Sequence, residues 1–380
     1  MKENRSRTIP EKVRRKLWAV SAGRCEFQGC NKILYEHSIT KENGVYAENA
    51  HIQAVNEGGA RFDESISNEE LNSTDNLMLL CAECHKNIDD NEKDYPVEIL
   101  KLMKNKHEER IRMVTENDFI QETIMINYFV SIQNIIPSYE DSMFRRAVIK
   151  NNCKLNQKSS ITIGNNLSIL NDGSKEFYDI QVKQLESMFI STVKPSIENI
   201  ESISVFALAP QPLLIKLGSL LSDIQNVKVY QCHREGDKWS WKDTEKIEEF
   251  KIEICNINKE SDEVVLNISL SADISTDRIS KVINKNISIY KITIDKPNRN
   301  FVRTENIANK FIECYRECIE KIKNENVKAK KIKVFPAMPN SLGVRMGMDI
   351  MGKTDLPLEI YDQVDPNSGF VKTIDIGGEI

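Results

Sequence analysis

The sequence predicts two domains of different build, a small α+β finger near the N-terminal end and a larger α/β domain of two similar halves after it. Three observations predict this. The chain has 380 residues, more than one small core can serve. Two close cysteine pairs, Cys25/Cys30 and Cys81/Cys84, bracket a short stretch of helical and β-type fragments. Beyond residue 150 apolar strands and amphipathic helices alternate, the pattern of a parallel sheet with helices on its faces. The expected boundaries are 1–116 for the finger, 117–150 for a mostly helical connector interrupted by Pro137, and 151–380 for the α/β domain.

In the finger, Thr8-Ile-Pro10-Glu11 has the form of a capping box, and Val13, Leu17 and Val20 follow at helical spacing, predicting a helix over 9–21. Residues 31–62 carry β-type fragments and a Gly58-Gly59 turn, 76–80 a short apolar strand, 84–91 a helix, and 96–116 a charged helix in which His107 is expected at the surface. These pieces are too small to fold without a staple.

In the larger domain the predicted order is strand 203–209, helix 212–223 and strand 227–232. A second round follows: strand 264–270, helix 277–284, strand 287–294, helix 305–323, strand 332–335, helix 341–351 and strand 358–361. The similar layout of the rounds predicts a weak internal repeat. Trp239 and Trp241, alternating in Lys238-Trp-Ser-Trp-Lys242, would share one face if that segment is a strand.

Composition narrows the function classes. With 40% hydrophobic and 29% charged residues the chain is an ordinary globular one, and it lacks the apolar run that a membrane helix needs. Nine cysteines without a secretion signal predict reduced thiols and a cytoplasmic location. A net charge of −5 is the wrong sign for a protein that coats nucleic acid. Residues 1–24 nevertheless carry eight Lys/Arg against Glu3 and Glu11, a local charge of +6. Such a run is either a solvated helix face or a means of steering phosphate.

The cysteine pairs predict the finger's staple. Cys25 and Cys30 have four residues between them, Cys81 and Cys84 two, and pairs so spaced share one tetrahedral Zn²⁺ without strain. A closed four-thiolate shell leaves no position for chemistry, so this zinc is structural. Between and beside the pairs stand His51, Asn76 and His85. Phosphodiester hydrolysis needs a base for water and a cation for the developing charge. His51 suits the base because imidazole titrates near neutral pH. His85 and Asp89, four residues apart, share a helix face and can share a metal. Asn76 would hold the base's loop by side-chain-to-backbone hydrogen bonds.

Arg24-Cys25 with Cys30, Ala50-His51-Ile52, Asn76-Leu77, Leu80-Cys81, Cys84-His85 and Asp89 together resemble the HNH endonucleases, built on a ββα-metal finger. The resemblance implies that His51 is the general base, Asn76 structural, and His85 a ligand of a catalytic divalent cation, usually Mg²⁺. Many members carry Asp just before the base, where this chain has Ala50. Glu48, two residues back, is the expected replacement as metal ligand, with Asp75 and Asp89 competing. Arg61 would either clamp a phosphate or form a surface ion pair.

The larger domain holds no second catalytic set. Its strand ends run into helix starts at Ala209-Pro-Gln-Pro, Ser271-Ala-Asp-Ile and Phe335-Pro-Ala-Met-Pro339, positions where open α/β sheets collect ligands. Gln211, Trp239, Ser271, Arg299, Phe301 and Met338 are the nominated ligand contacts. Phe206-Ala-Leu-Ala-Pro210, Leu217-Gly218, Tyr230-Gln231, His233-Arg234 with Trp239 and Trp241, and Phe335-Pro-Ala-Met-Pro339 resemble the SAVED domain, a fusion of two CARF-like Rossmann-type units. HNH followed by SAVED is similar to the effector nucleases of bacterial CBASS anti-phage defence. That resemblance implies a cyclic di- or trinucleotide activator, ligand-driven homo-oligomers and cleavage of double-stranded DNA. The competing reading is a restriction-type HNH endonuclease whose second domain reads DNA, which would call for a basic groove in residues 120–380. A third is a zinc-stapled binding module without catalysis, in which His51, Asn76 and His85 would be gratuitous.

Overall fold

A computed structural model describes residues 5–115, 121–132, 135, 137, 140–164, 174–198, 200–236, 238–242, 249–283, 286–365 and 369–378. The chain divides into two compact units, Met1–Phe119 and Ile120–Ile380, each taken by itself below.

The first unit opens with α1 (Glu11–Val20), whose N-cap is Pro10 with no side-chain bond. The capping box expected at Thr8 is therefore absent; proline fixes φ there and Glu11 already lies inside the helix. A capping box is present at α2 (Asn68–Leu71), between Ser67 and Glu70. Ahead of it runs β1 (Glu48–His51), and after it a 3₁₀ turn over Thr74–Asn76 leads into β2 (Leu77–Leu80). The two strands pair antiparallel, His51 opposite Leu77 and Glu48 opposite Leu80. Then come α3 (Ala82–Asp90) and α4 (Val97–Thr115). The core is Leu17, Leu34, Ala50, Ile52, Leu77 to Leu80, Ile88 and Leu100. His107 is 7% exposed, with its Nε2 3.0 Å from the Ser21 carbonyl, so it is an interior tie between α4 and the end of α1 rather than a surface group.

The second unit begins with β3 (Gln121–Phe129), α5 (Asp141–Lys150) and β4 (Cys153–Ile163). The expected helical connector over 117–150 is thus corrected. Gln121–Phe129 is a strand flanked by β4 and by β5 (Ser202–Leu208) in a sheet of order β4-β3-β5-β6, all parallel. Its side chains are buried from Thr123 to Phe129, an apolar stretch broken by Asn127, which periodicity alone does not separate from a buried helix. Residues 117–120 of the expected connector lie outside the described residues. Between β4 and β5 come α6 (Lys175–Met188), a π-helical turn and α7 (Lys194–Ile197).

After β5 follow α8 (Gln211–Leu221) and β6 (Val227–Val229), then β7 (Lys251–Asn256) and β8 (Glu263–Ser269). Next are α9 (Thr276–Ile279), β9 (Ser288–Thr293), α10 (Glu305–Glu325) and β10 (Lys331–Ala337). The described part of the unit closes with α11 (Asn340–Met348), β11 (Leu358–Asp365) and β12 (Gly369–Ile376). The second sheet has the order β12-β11-β10-β8-β9-β7, parallel in its centre with antiparallel edges. The helix expected to reach 284 ends at Ile279, and residue 284 lies outside the described set.

The internal repeat is explicit at one junction. β5–α8 and β10–α11 align without a gap, Ile203 with Ile332, Val205 with Val334, Phe206 with Phe335, Pro210 with Pro339, and Gly218 with Gly347. Burial repeats too. Val205 and Val334 enter the main core between the sheets, while Phe206 and Phe335 point to the outer faces, as successive strand residues must. α8 and α11 meet at the equivalent glycines. A Cβ on Gly218 would stand 2.0 Å from the Val344 carbonyl oxygen, and one on Gly347 2.0 Å from that of Ile215. Only glycine lets the two backbones touch so closely.

Candidate active site and metal cage

The finger's two cysteine pairs converge. Their four sulfurs lie within 4.8 Å of one another, and Cys30 Sγ and Cys81 Sγ are 4.0 Å apart. A tetrahedral ion with metal–sulfur bonds of about 2.3 Å requires sulfur separations of about 3.8 Å, so the set fits one such ion. Burial pushes the Cys25 thiol up to about 12, although the Cys81 and Phe27 amides oppose the shift. Burial likewise pushes Cys84 up, with neighbouring thiols adding to it. A buried cluster of this kind becomes thiolate when a cation supplies the charge. The Cys81 amide donates to Cys25 Sγ at 3.4 Å, which orients the sulfur. Glu26, beside Cys25, is buried; its Oε2 accepts from the Leu79 amide at 2.6 Å and its Oε1 lies 3.7 Å from Lys104 Nζ. Burial raises this carboxyl to about 7 against the pull of Lys104. Nothing in the spacing pointed to Glu26, which ties the cage to β2 and α4.

The second cluster rests on β1, α3 and the loop between the strands. His51 ends β1, opposite Leu77. Its Nε2 lies 3.2 Å from Asn72 Oδ1, and burial lowers its pKa while the Asn72 contact opposes the shift. Asn76 is buried. Its Oδ1 accepts from the Gln53 amide at 3.0 Å and its Nδ2 donates to the Leu71 carbonyl at 3.0 Å, so it clamps the chain just after His51 to the chain before β2. Glu48 starts β1 and its carboxylate meets His85 Nδ1. Asp89, one turn along α3, places Oδ2 3.4 Å from His85 Nε2. The two carboxylates therefore sit at opposite nitrogens of one imidazole.

Asp89 is also engaged elsewhere. Buried Arg61 donates from Nη2 to Asp89 Oδ1 at 2.8 Å, from Nε to the Ile52 carbonyl at 2.6 Å, and from Nη1 to the Ile88 carbonyl at 2.8 Å. The expected ion pair is thus present, with Asp89, but Arg61 itself is buried and acts as an interior brace rather than as a surface partner or a phosphate clamp. Asp75 lies in the 3₁₀ turn before β2. Asn72 was not among the sequence candidates; an Asn inside Leu-Asn-Ser-Thr-Asp looks like ordinary loop chemistry, and only the fold turns it toward His51.

In the second unit Gln211 and Met338 come together at the equivalent strand ends, where Gln211 Nε2 donates to the Met338 carbonyl at 2.7 Å. Asn340, the repeat partner of Gln211, donates in return to the Ala207 carbonyl at 2.7 Å. Ser271 gives its amide to Ala337 at 2.7 Å. Ser341, in the first turn of α11, gives both its amide and its hydroxyl to Gln231 Oε1. Arg299 is exposed. Three nominated contacts are corrected. Trp239 is 3% exposed and packs edge-on against Phe129, Phe144 and Phe206; Phe301 (4%) packs against Phe250; and the Met338 side chain (3%) lies in the main core. Aromatic and sulfur side chains at strand ends satisfy packing as readily as a ligand. The two tryptophans are not on a strand and join different clusters.

Among the described residues no helix is long and apolar enough to cross a membrane. The SAVED family model, "SMODS-associated and fused to various effectors sensor domain", matches residues 185–376, and the HNH endonuclease family model matches residues 25–92. No curated protein matches the chain. Among solved structures, two Cap4 SAVED/CARF-domain containing receptors from Acinetobacter baumannii are similar, one with the cyclic trinucleotide 2'3'3'-cAAA and one with 3'3'3'-cAAA. The first is 15% identical, with a TM-score of 0.45 over 81% of this chain and 64% of its own. The second is 14% identical, with a TM-score of 0.45 over 83% and 67%. A Moraxella osloensis Cap4 receptor is 12% identical, with a TM-score of 0.36 over 77% and 60%. This chain thus spans 64% of the length of the first receptor, and scores of this size leave the assignment to the family models. Since the sensor model alone covers half of the chain, the protein belongs to the SAVED family, with an HNH endonuclease module at its N-terminal end.

Proposed function

We propose that this protein is a double-stranded DNA endonuclease of CBASS anti-phage defence, activated by a cyclic oligonucleotide. The observation that carries the reading is the grouping of His51, Asn76, Glu48 and His85 on one ββα unit, in a chain whose other unit is a sensor domain.

In this reading His51 accepts the proton of the attacking water. Its burial-lowered pKa keeps the ring neutral and ready at physiological pH. Glu48 and His85 would hold a divalent cation, Mg²⁺, which supplies charge stabilisation for the phosphorane-like transition state. Asp89 serves as an outer carboxylate, because Arg61 already holds one of its oxygens. Asn76 keeps the base's loop in place. Cys25, Cys30, Cys81 and Cys84 hold Zn²⁺, and the basic residues ahead of Cys25 draw the DNA backbone in. Gln211 and Ser271, with Arg299, contribute to the nucleotide site at the strand ends of the sensor. The A. baumannii receptors carry cyclic triadenylates, so a cyclic trinucleotide is the first activator to test. Ligand binding drives assembly of homo-oligomers, and assembly lets HNH modules act on both strands.

The test incubates the full chain with plasmid DNA and Mg²⁺, with and without 2'3'3'-cAAA, 3'3'3'-cAAA and a set of cyclic dinucleotides. Cleavage confined to the presence of one of these nucleotides is expected. Cleavage at one rate regardless of nucleotide would overturn the gating, and binding of specific duplex sequences by residues 120–380 would favour a DNA reader.

A further inference from the structure

The strap formed by residues 5–8 lies ahead of the residues matched by the HNH family model, yet it reaches the proposed base through one side chain. Arg5 Nη2 donates to the carbonyls of Asp63, Glu64 and Ile66 at 2.8, 2.8 and 3.1 Å, and the guanidinium lies 4.9 Å over the Phe62 ring. The Ser6 amide donates to Asn68 Oδ1 at 3.0 Å. The Ser6 carbonyl, in return, accepts from Asn72 Nδ2 at 2.9 Å.

Hydrogen-bond accounting at Asn72 then has one solution. Its Nδ2 faces the carbonyl oxygens of Ser6 and Asn68 (2.9 and 3.2 Å) and Asn68 Oδ1 (3.4 Å). All three only accept, so the amide NH₂ must point at them. Asn72 Oδ1 is thereby turned to His51 Nε2 at 3.2 Å. An amide oxygen cannot donate, so Nε2 must carry the ring proton. Asn72 is only 6% exposed, which denies water the chance to take over the contact.

We propose that Asn72 is a positioning residue that fixes the Nε2–H tautomer of His51, leaving Nδ1 as the basic nitrogen, and that the strap of residues 5–8 is part of the cutting site because it fixes Asn72. The inference rests on His51 being the base. Without Asn72, the neutral ring divides between two tautomers, and the form protonated on Nδ1 has no lone pair where the water is to be activated. The sequence hides this because Ser6 and Asn72 are far apart in the chain and neither is in the motif.

The experiment uses the full chain labelled with ¹⁵N-histidine. Only five histidines are present, and His51→Ala identifies the signals of His51. Long-range proton–nitrogen spectra near neutral pH should show a protonated Nε2 and an unprotonated Nδ1; a protonated Nδ1 in the neutral ring overturns the proposal. Asn72→Ala, and separately a chain starting at Thr8, should mix the tautomers while keeping zinc content and melting temperature. In the presence of a nucleotide that activates the unaltered chain, Asn72→Ala should lower kcat on plasmid about 10- to 100-fold with KM unchanged. The chain starting at Thr8 should lower kcat by a similar factor, with KM rising as well because Lys2, Arg5 and Arg7 are lost. Unaltered kcat and tautomer in both variants would also overturn it. The tautomer is read without cleavage, so failure of every nucleotide to activate would count against the proposed function and not against this assignment.

Discussion

The finger and the sensor unit solve the problem of stability by different means, and the difference decides how each can be read. The finger gathers a small apolar core around β1 and β2 and relies on four sulfurs brought within 4.8 Å. The sensor unit has a long core between two sheets and a close backbone crossing at Gly218 and Gly347. A staple is written in a few fixed residues at fixed spacing. A large core is written in apolar alternation, which many sequences satisfy and which says little about any one residue.

Loss of the staple should separate the two units most sharply. Cys81→Ser, or chelation of the metal, should unfold the finger, since structural zinc in such modules is worth about 10–16 kcal/mol at neutral pH. The unfolding transition of the sensor unit should persist. Calorimetry with zinc analysis checks both, and a finger that melts as before would mean the thiols do not hold it.

Next in size is His51→Ala, which should cut plasmid cleavage about 10²- to 10⁴-fold with zinc and nucleotide binding retained. Cleavage rates with bound nucleotide measured by calorimetry separate chemistry from folding. On the sensor side, Gly218→Ala puts a methyl where the Val344 carbonyl stands at 2.0 Å. Helices in a packed core resist such insertion at a cost of about 1–3 kcal/mol, so denaturant unfolding of the second unit should shift while the zinc content of the finger does not.

The smallest effect concerns pH. Burial lowers the His51 pKa from 6.5, so the folded state binds this proton less readily than the unfolded chain. Its contribution to stability is intact above about 6.5 and is lost as pH falls from there toward the folded value. The acid limb of kcat/KM should accordingly have its midpoint below 6.5, and a midpoint above it would contradict the assignment.

Much of the finger was legible from its residues. The cysteine spacing pointed to a cage, and the structure brings those four thiols together. Helices at 84–91 and 96–116 correspond to α3 and α4. What stayed hidden was made by the fold alone: Asn72 reaching His51, Arg61 bracing Asp89, and Glu26 buried beside the cage. Each depends on contacts across tens of residues that no local pattern records. In the sensor unit β5, β8 and β9 were legible as β-branched apolar runs between turn residues, whereas the sheet-edge strands β4, β7 and β12, more polar or more exposed, were not read as strands. β3 was missed because its buried stretch reads equally as helix or strand, and neither glycine nor proline bounds it on either side to settle the choice. Trp239, Phe301 and Met338 were misplaced for a related reason, since position at a strand end does not tell which way a side chain faces.

Control of the cutter by the sensor unit is what the proposed function depends on. Its most direct measurement is the rate of plasmid cleavage by the full chain in Mg²⁺ as a cyclic trinucleotide is titrated from zero to saturation. Negligible cleavage without nucleotide and a saturable rise of about 100-fold or more are expected, which requires roughly 2.7 kcal/mol of preference for the active state. A rate that is already high without nucleotide and flat across the titration would contradict it.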